Sequence, residues 1–340
     1  MSNGLFLAVD GGATKTDVVL GTAAGAVLAS VRGPASSPHY VGVPGCVAIV
    51  DALVAEARAA AALAPEAVVD RAEVYLAGAD LPVEVDVLHK AVGEAGWARE
   101  HRVDNDTFAL LRAGTDARDA VAVVCGTGIN CLGRDAAGRT ARFPSLGQIS
   151  GDWGGGEQLA TLALYRAARG EDGRDAPTAL STAVAAHFGR STVEEVSAGL
   201  HLGEIPTERI SELSPVLFAV AAAGDPTARR VVARQADEIV TLVRVAATRL
   251  DLRGVRYAVV LGGGVLAARH PCSWTRSKRA SPPTPPRHAD SGHRPTGGRR
   301  RAARAGRLRR STPSRPRPPR RSHGAVIHAF RPARGHVRLV

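Results

Sequence analysis

The stretch LFLAVDGGATKT, from Leu5 to Thr16, decides how the rest of the chain is interpreted. An apolar run ends in Asp10, the chain breaks at Gly11-Gly12, and a second apolar run follows, a pattern that predicts a β-hairpin. An acidic residue closes a buried strand, two glycines expose backbone N–H groups, and hydroxyl groups and an ammonium group come next. These are the components of a phosphate-binding loop with a place for a metal ion. A DGG turn alone is equally an ordinary hairpin turn that the aspartate favours.

Length and composition favour a folded globular protein. The chain has 340 residues and 45% hydrophobic content, enough for one or two domains with a core. It shows neither a secretory signal pattern nor an apolar stretch of about 18 residues, which predicts a cytoplasmic protein without membrane contact. The four cysteines form no CxxC pair and show no metal-ligand spacing with histidine, so the sequence gives little support for a disulfide framework or a zinc site. The cysteines are Cys46, Cys125, Cys131 and Cys272.

The positive charge is confined to the C-terminal part of the chain. The net charge is +12, but residues 269–340 alone carry +19 and leave the remainder at −7. This tail is rich in Arg, Pro and Ser and lacks helical or strand periodicity, so it is predicted to be disordered. Its charge predicts at most non-specific nucleic-acid binding through counterion release.

Apolar periodicity predicts strands alternating with helices, and therefore an α/β fold with a partly parallel sheet. Residues 33–42 are predicted to form a loop because of their Gly, Pro and Ser content. Besides the hairpins, strands are predicted at 27–31, 74–77, 102–104 and 257–261, and helices at 44–64, 82–96, 106–113, 156–169, 178–189, 193–200, 206–223 and 226–250.

Two later glycine turns repeat the pattern of the opening hairpin. In AVAVVCGTGINCLG, a buried strand breaks at Gly126-Thr127-Gly128 and then resumes. A further strand runs into Gly262-Gly263-Gly264. Each turn alone is more simply a turn, but the ordered set, each after a buried strand, predicts two related lobes that face one nucleotide.

These motifs, with the pattern hydrophobic-DGG-x-T-K-T first, resemble the N-acetylglucosamine kinase and BadF/BadG/BcrA/BcrD ATPase family of the sugar kinase, Hsp70 and actin superfamily. The resemblance implies two ribonuclease-H-like lobes of mixed sheet and helices with a cleft between them. Residues 1–115 would form the first lobe, 116–268 the second with a helical insertion, and 269–340 the disordered tail. It also implies ATP and Mg²⁺ as cofactors, a small-molecule sugar as substrate, and a homodimer if the second lobe is intact.

The same resemblance implies a role for each nucleotide motif. Asp10 would hold Mg²⁺ through water. The first phosphate loop would comprise Gly11, Gly12, Thr14, Lys15 and Thr16; the second would comprise Gly126, Thr127 and Gly128; and Gly262, Gly263 and Gly264 would meet the nucleoside.

Asp106 is the predicted catalytic base. The family places its catalytic aspartate after a short strand, at the start of a helix and before the GTG hairpin, as in VDNDTFALLRAG. Phosphoryl transfer needs a carboxylate that accepts the proton of the attacking hydroxyl. Two alternatives stay open: Asp106 could serve only as a helix N-cap, and Asp104 is the nearest competing carboxylate.

For the sugar, the resemblance points to hydrogen-bonding side chains, and an N-acetylhexosamine such as N-acetylglucosamine is the expected substrate. The candidates are Asn130, Asp152, Asn105 and, more weakly, Ser36 and Ser37. The family's GGWG…GDEGS reads here SLGQISGDWGGG, so that Leu146 and Trp153 replace the usual tryptophan and acid. Because such wall residues set specificity, the departure bears on which sugar is used.

The resemblance stops at about Pro271. The Arg- and Pro-rich sequence beyond it is typical of a GC-rich gene read out of frame, and an adapted basic arm is the alternative. The first interpretation predicts an unfinished adenosine pocket, weak or no kinase activity, and poor solubility. Two other functions remain open: an ATPase that drives change in a partner, of the dehydratase-activator type, and a degenerate kinase that binds nucleic acid through its tail.

Overall fold

The computed structural model describes residues 4–267 and the backbone of 336–339. The first lobe is built on a five-stranded sheet in the order β3-β2-β1-β4-β5. Strands β1, β2 and β3 are antiparallel, whereas β1, β4 and β5 are parallel. The strands are β1 (Leu5–Gly11), β2 (Thr16–Thr22), β3 (Val27–Gly33), β4 (Val69–Leu76) and β5 (Ala98–Asn105).

The second sheet repeats this arrangement, with the order β10-β9-β6-β7-β8. A central strand again pairs with an antiparallel hairpin on one side and with parallel strands on the other. Its strands are β6 (Ala120–Cys125), β7 (Ile129–Arg134), β8 (Thr140–Arg142), β9 (Ala258–Gly262) and β10 (His336–Leu339). The expectation of two related lobes of mixed sheet is therefore confirmed.

Helices cover both sheets and form the insertion. Helices α1 (Pro38–Ala60) and α2 (Pro82–Ala95) pack in the first lobe, and α3 (Asp106–Gly114) lies against the second sheet, where Leu111 joins Val260 in one apolar cluster. Helices α4 (Gly156–Glu171), α5 (Ala179–His187), α6 (Val193–His201) and α7 (Leu213–Ala222) share an apolar core of their own. Helix α8 (Pro226–Arg249) covers the second sheet, and the short α9 (Gly264–Ala267) follows β9.

Helix α1 differs from the prediction at both ends. It begins at Pro38, inside the predicted loop, because Pro38 starts a helical turn and Gly42, at φ 69°, joins that turn to the main helix across a kink. By length and composition α1 could cross a membrane, which the sequence analysis did not anticipate. Its apolar face is instead part of the first lobe's core, through Cys46, Val50, Leu53, Val54 and Ala57.

Two further predictions need correction. Residues 206–223 form a 3₁₀ segment, Thr207–Glu212, before α7 rather than one helix. In the predicted disordered tail, His336–Leu339 pair in parallel with β9, at the position that β5 holds in the first sheet. The prediction of disorder for the rest of the tail concerns residues that lie outside the described part of the chain.

Candidate active site

The carboxyl ends of the parallel strands of both sheets border one cleft of about 640 Å³. Ligands of parallel sheets bind at this edge because the loops after the strands converge there. Asp10 closes β1, Asp80 follows β4, and Asp106 follows β5. The GTG turn follows β6, and Gly263 follows β9, so the second sheet contributes its own strand ends to the opposite wall.

The first glycine hairpin forms one wall of the cleft. Gly12, Ala13, Thr14 and Lys15 line it, and the Gly12 N–H donates to the Lys15 carbonyl over 2.8 Å. The half-exposed Lys15 ammonium pairs with Asp17 at 2.6 Å. Because this pair is solvent-exposed, it is weak enough for the ammonium to move to a phosphate.

Two residues of this motif lie behind the loop instead. The buried Thr16 hydroxyl donates over 2.7 Å toward both the Pro34 carbonyl and Ser36 Oγ. Gly11 is required for packing, since a Cβ there would lie 2.4 Å from Leu76 and 2.6 Å from Ser36 Oγ. Neither residue lines the cleft, so the structure does not bring them together with the other predicted phosphate ligands.

The GTG turn forms the opposite wall and rests on the start of α4. The Gly156 N–H donates to the Gly126 carbonyl over 2.8 Å, and the Glu157 N–H donates to the Thr127 carbonyl over 3.1 Å. A Cβ added at Gly126 or Gly128 would meet nothing within 4 Å. The turn therefore leaves open space on its cleft side.

Two other glycines pack closely against the backbone of this turn and of the strand that precedes it. A Cβ on Gly155 would lie 2.5 Å from the Gly128 backbone, and one on Gly263, at φ 93°, would lie 2.3 Å from the Cys125 carbonyl oxygen. Of the three glycines expected to meet the nucleoside, Gly263 and Gly264 line the cleft, whereas Gly262 is buried against Leu110 and does not.

Asp106 lies between the two walls at the start of α3. Burial, which is the largest cause, and the negative charges of Asp10 and Asp80 together raise the pKa of its carboxyl to about 7, against a hydrogen bond from the Thr107 N–H that lowers it. The N-cap of α3 is Asn105, whose Oδ1 accepts from the Thr107 N–H over 3.0 Å. Asn105 thus fills the purely structural role proposed as the alternative for Asp106.

Asp80 is a cleft carboxylate that the sequence analysis missed. Its Oδ1 accepts from Asn105 Nδ2 over 2.8 Å and from Asn130 Nδ2 over 3.2 Å. Burial is the main cause that raises its pKa to about 6, and the charges of Glu84 and Asp152 add to the rise. The sequence contained a signal for it, because Gly78-Ala79-Asp80 follows the strand β4 just as Gly12 follows β1.

The other predicted sugar-binding residues divide into two groups. Ser37, Asn105 and Asn130 line the cleft, with Asn130 also donating toward Asn105 Oδ1 over 3.2 Å. Asp152 is not among the lining residues, although its charge acts on Asp80, and its carboxylate accepts from the Ser150 hydroxyl.

Asp10 offers a carboxylate suited to a hard cation. In the described part of the chain, neither a hydrogen bond nor an ion pair engages its side chain, which opens onto the cleft. Partial desolvation by the surrounding protein raises its pKa, while Lys15 lowers it. An uncommitted carboxylate that opens onto the cleft beside the glycine hairpins fits Mg²⁺, which takes one or two carboxylates together with water and phosphate oxygens.

Asp104, the competing candidate base, is held in ion pairs. Arg142 from β8 donates through Nη1 to Asp104 over 3.1 Å and through Nη2 to the Ala79 carbonyl over 3.1 Å. Arg102 also pairs with Asp104 at 3.1 Å. Asp104 therefore joins the two lobes, and it does not line the cleft.

These features agree with the comparisons to known proteins. The model of the BadF/BadG/BcrA/BcrD ATPase family matches residues 7–273, and the chain belongs to that family. The chain is 25% identical over 190 residues to an N-acetylmuramic acid/N-acetylglucosamine kinase of Clostridium acetobutylicum, a match covering 56% of this chain and 62% of the relative. An N-acetyl-D-glucosamine kinase of Dictyostelium discoideum is 24% identical over 277 residues, covering 78% and 86%.

A solved structure shares the fold. A candidate N-acetylglucosamine kinase from Chromobacterium violaceum superimposes with a TM-score of 0.63 at 22% identity, covering 79% of this chain and 90% of that one.

Proposed function

We propose that this chain transfers the γ-phosphoryl group of ATP to a hydroxyl of an N-acetylated amino sugar. The observation that carries the proposal is the position of Asp106, a carboxyl with a pKa of about 7 between two glycine hairpins. A base whose pKa lies near the working pH combines the right protonation state with useful basicity. Both related kinases carry names that include N-acetylglucosamine, which favours that sugar class.

In the proposed reaction, Asp106 accepts the proton of the sugar hydroxyl as its oxygen attacks the γ-phosphorus. The bond to the β,γ-bridging oxygen breaks, and ADP leaves. The N–H groups of the glycine hairpins and the Lys15 ammonium hold the phosphates, and Asn130 and Ser37 border the sugar. Mg²⁺, held through Asp10, would neutralise charge on the phosphates.

The alternative functions receive less support. A dehydratase activator needs cysteines that can hold an iron–sulfur cluster, but Cys46, Cys125 and Cys131 are buried, and Cys272 lies outside the described residues. Burial raises the pKa of each of the three buried thiols, which opposes the thiolate form that binds iron. The homodimer, the cytoplasmic location and nucleic-acid binding by the tail stay predictions.

One assay tests the proposal: ADP release from ATP and Mg²⁺, with and without a panel of hexoses and amino sugars. We expect release that depends on an N-acetylated sugar and falls by about 10²–10⁴-fold in Asp106→Asn. The matched control is Asp104→Asn, a nearby carboxylate that arginines occupy, which should retain turnover. Sugar-independent release would favour the ATPase alternative, and a fully active Asp106→Asn would refute the assigned base.

A further inference from the structure

Ser145 is the one described residue that combines a left-handed backbone with an unpartnered buried side chain. Its φ is 54°, and its Oγ is buried without a hydrogen-bond partner. Both features carry a free-energy cost, since L residues avoid this region and buried hydroxyls are normally paired. Glycine would avoid both costs, because it adopts positive φ without strain and has no side chain.

The other described non-glycine residues with positive φ have an ordinary explanation. Ala62 follows α1 and Asp251 follows α8, each in the left-handed position that ends a helix. In both places a following N–H donates back to the helix, from Leu63 to Arg58 over 2.9 Å and from Leu252 to Ala247 over 2.8 Å. Ser145 does not follow a helix, so its conformation has no such cause.

The position of Ser145 connects it to the active site. It lines the cleft together with Asn130, Asp80 and Asp106. It lies shortly after Arg142, which is fixed to the Ala79 carbonyl beside Asp80. Another hydroxyl of the same loop, that of Ser150, is fully engaged by the Leu146 N–H, the Gly147 carbonyl and Asp152. The loop therefore satisfies one serine internally and leaves the other for a partner from outside.

We infer that Ser145 Oγ is a specificity-determining hydrogen-bonding group for the acceptor sugar. This inference rests on the proposed function. A serine hydroxyl reaches a new partner by rotation about χ1, without movement of the backbone. A sugar supplies the hydroxyl and amide groups that such a partner requires. The bound sugar then satisfies the polar atom that is unpaired in the free protein.

Two variants at this position separate the hydroxyl from the strain. Ser145→Ala keeps the left-handed backbone and removes the hydroxyl, whereas Ser145→Gly removes both. We expect each variant to raise the KM for N-acetylglucosamine by about five- to tenfold, the effect of one neutral hydrogen bond, with the KM for ATP unchanged. Ser145→Gly should raise the Tm more than Ser145→Ala does, because both variants remove the unpaired hydroxyl but only glycine also relieves the backbone.

The outcomes are distinguishable. Sugar-dependent ADP release by the wild type with an unchanged sugar KM in Ser145→Ala overturns this inference and leaves the proposed function intact. Equal changes in the KM for ATP and for sugar indicate a general structural role and also overturn it. A wild type that neither releases ADP with any sugar nor gains Tm on addition of N-acetylglucosamine overturns both proposals.

Discussion

The side-chain amide of Asn130, on the second lobe, donates over 3.2 Å to Oδ1 of Asp80, on the first. This bond crosses the cleft beside the carboxylate that is the proposed base. The charge on Asp80 is also one of the causes that raise the pKa of Asp106. Asp80 therefore contributes both to the contact between the lobes and to the basicity of the catalytic group.

Replacing Asp80 should move the pH dependence of catalysis. Asp80→Asn removes a negative charge near Asp106 while it keeps an oxygen that accepts from Asn105 and Asn130. The pKa of Asp106 should fall, so the rise of kcat with pH should shift to lower pH, as measured by a pH–rate profile. The comparison variant Asp80→Ala also loses the acceptor and should reduce the free energy of unfolding by about 1–3 kcal/mol. An unmoved profile in Asp80→Asn would contradict the coupling.

The raised pKa of Asp106 makes a prediction about stability. The folded-state pKa is about 7 and the unfolded value 3.8, so the folded protein loses stability as the pH rises between these values. Asp106→Asn removes this loss and should be more stable than the wild type above pH 7, by on the order of a few kcal/mol. The difference should shrink steadily toward pH 4. Thermal unfolding of both proteins across this pH range measures it, and a constant difference would exclude the raised pKa.

The sequence predicted those parts of the site that depend on local pattern. Strand-glycine turns placed Gly12, Gly126 and Gly263 on the cleft, and the helix start placed Asp106 there. Each of these sequence patterns spans only a few residues. The rule that the carboxyl ends of parallel strands meet at one edge of the sheet is enough to place it at the cleft.

Residues whose environment depends on distant partners could not be predicted in this way. Thr16 fits a phosphate loop by sequence, but its hydroxyl forms a hydrogen bond with the Ser36 hydroxyl, which the fold brings close to it. Asp80 contributes to the site because the side-chain amide of Asn130, on the second sheet, donates a hydrogen bond to it. The strain at Ser145 is a property of a backbone conformation that the residue type itself disfavours, so the sequence gives no sign of it.

The glycines in and behind the GTG turn should differ in what their substitution by alanine affects, either stability or ATP binding. Gly155→Ala places a Cβ 2.5 Å from the Gly128 backbone, which cannot move aside as a side chain would. We expect the free energy of unfolding to fall by roughly 1–3 kcal/mol, and nucleotide binding to weaken with it. Gly126→Ala, which meets nothing within 4 Å, should keep the wild-type Tm but bind ATP more weakly, because its methyl group projects into open space. Tm and ATP titration on both variants check this division, and equal losses of Tm would contradict it.

The guanidinium groups of Arg142 and Arg102 provide a matched test of the lobe contact. Both pair with Asp104 at 3.1 Å, and both lie over the Phe108 ring, at 5.4 and 5.3 Å. Only Arg142 comes from the second lobe and also binds the Ala79 carbonyl. Because lysine keeps the charge but loses the planar fork, Arg142→Lys should lower the free energy of unfolding by about 1–2 kcal/mol and raise the sugar KM.

Arg102→Lys should change both quantities much less, since it joins residues of one lobe only. Chemical denaturation and steady-state kinetics of the two variants measure the difference. Equal effects would contradict a particular role of Arg142 in joining the lobes, because Arg102 makes its ion pair with Asp104 within one lobe.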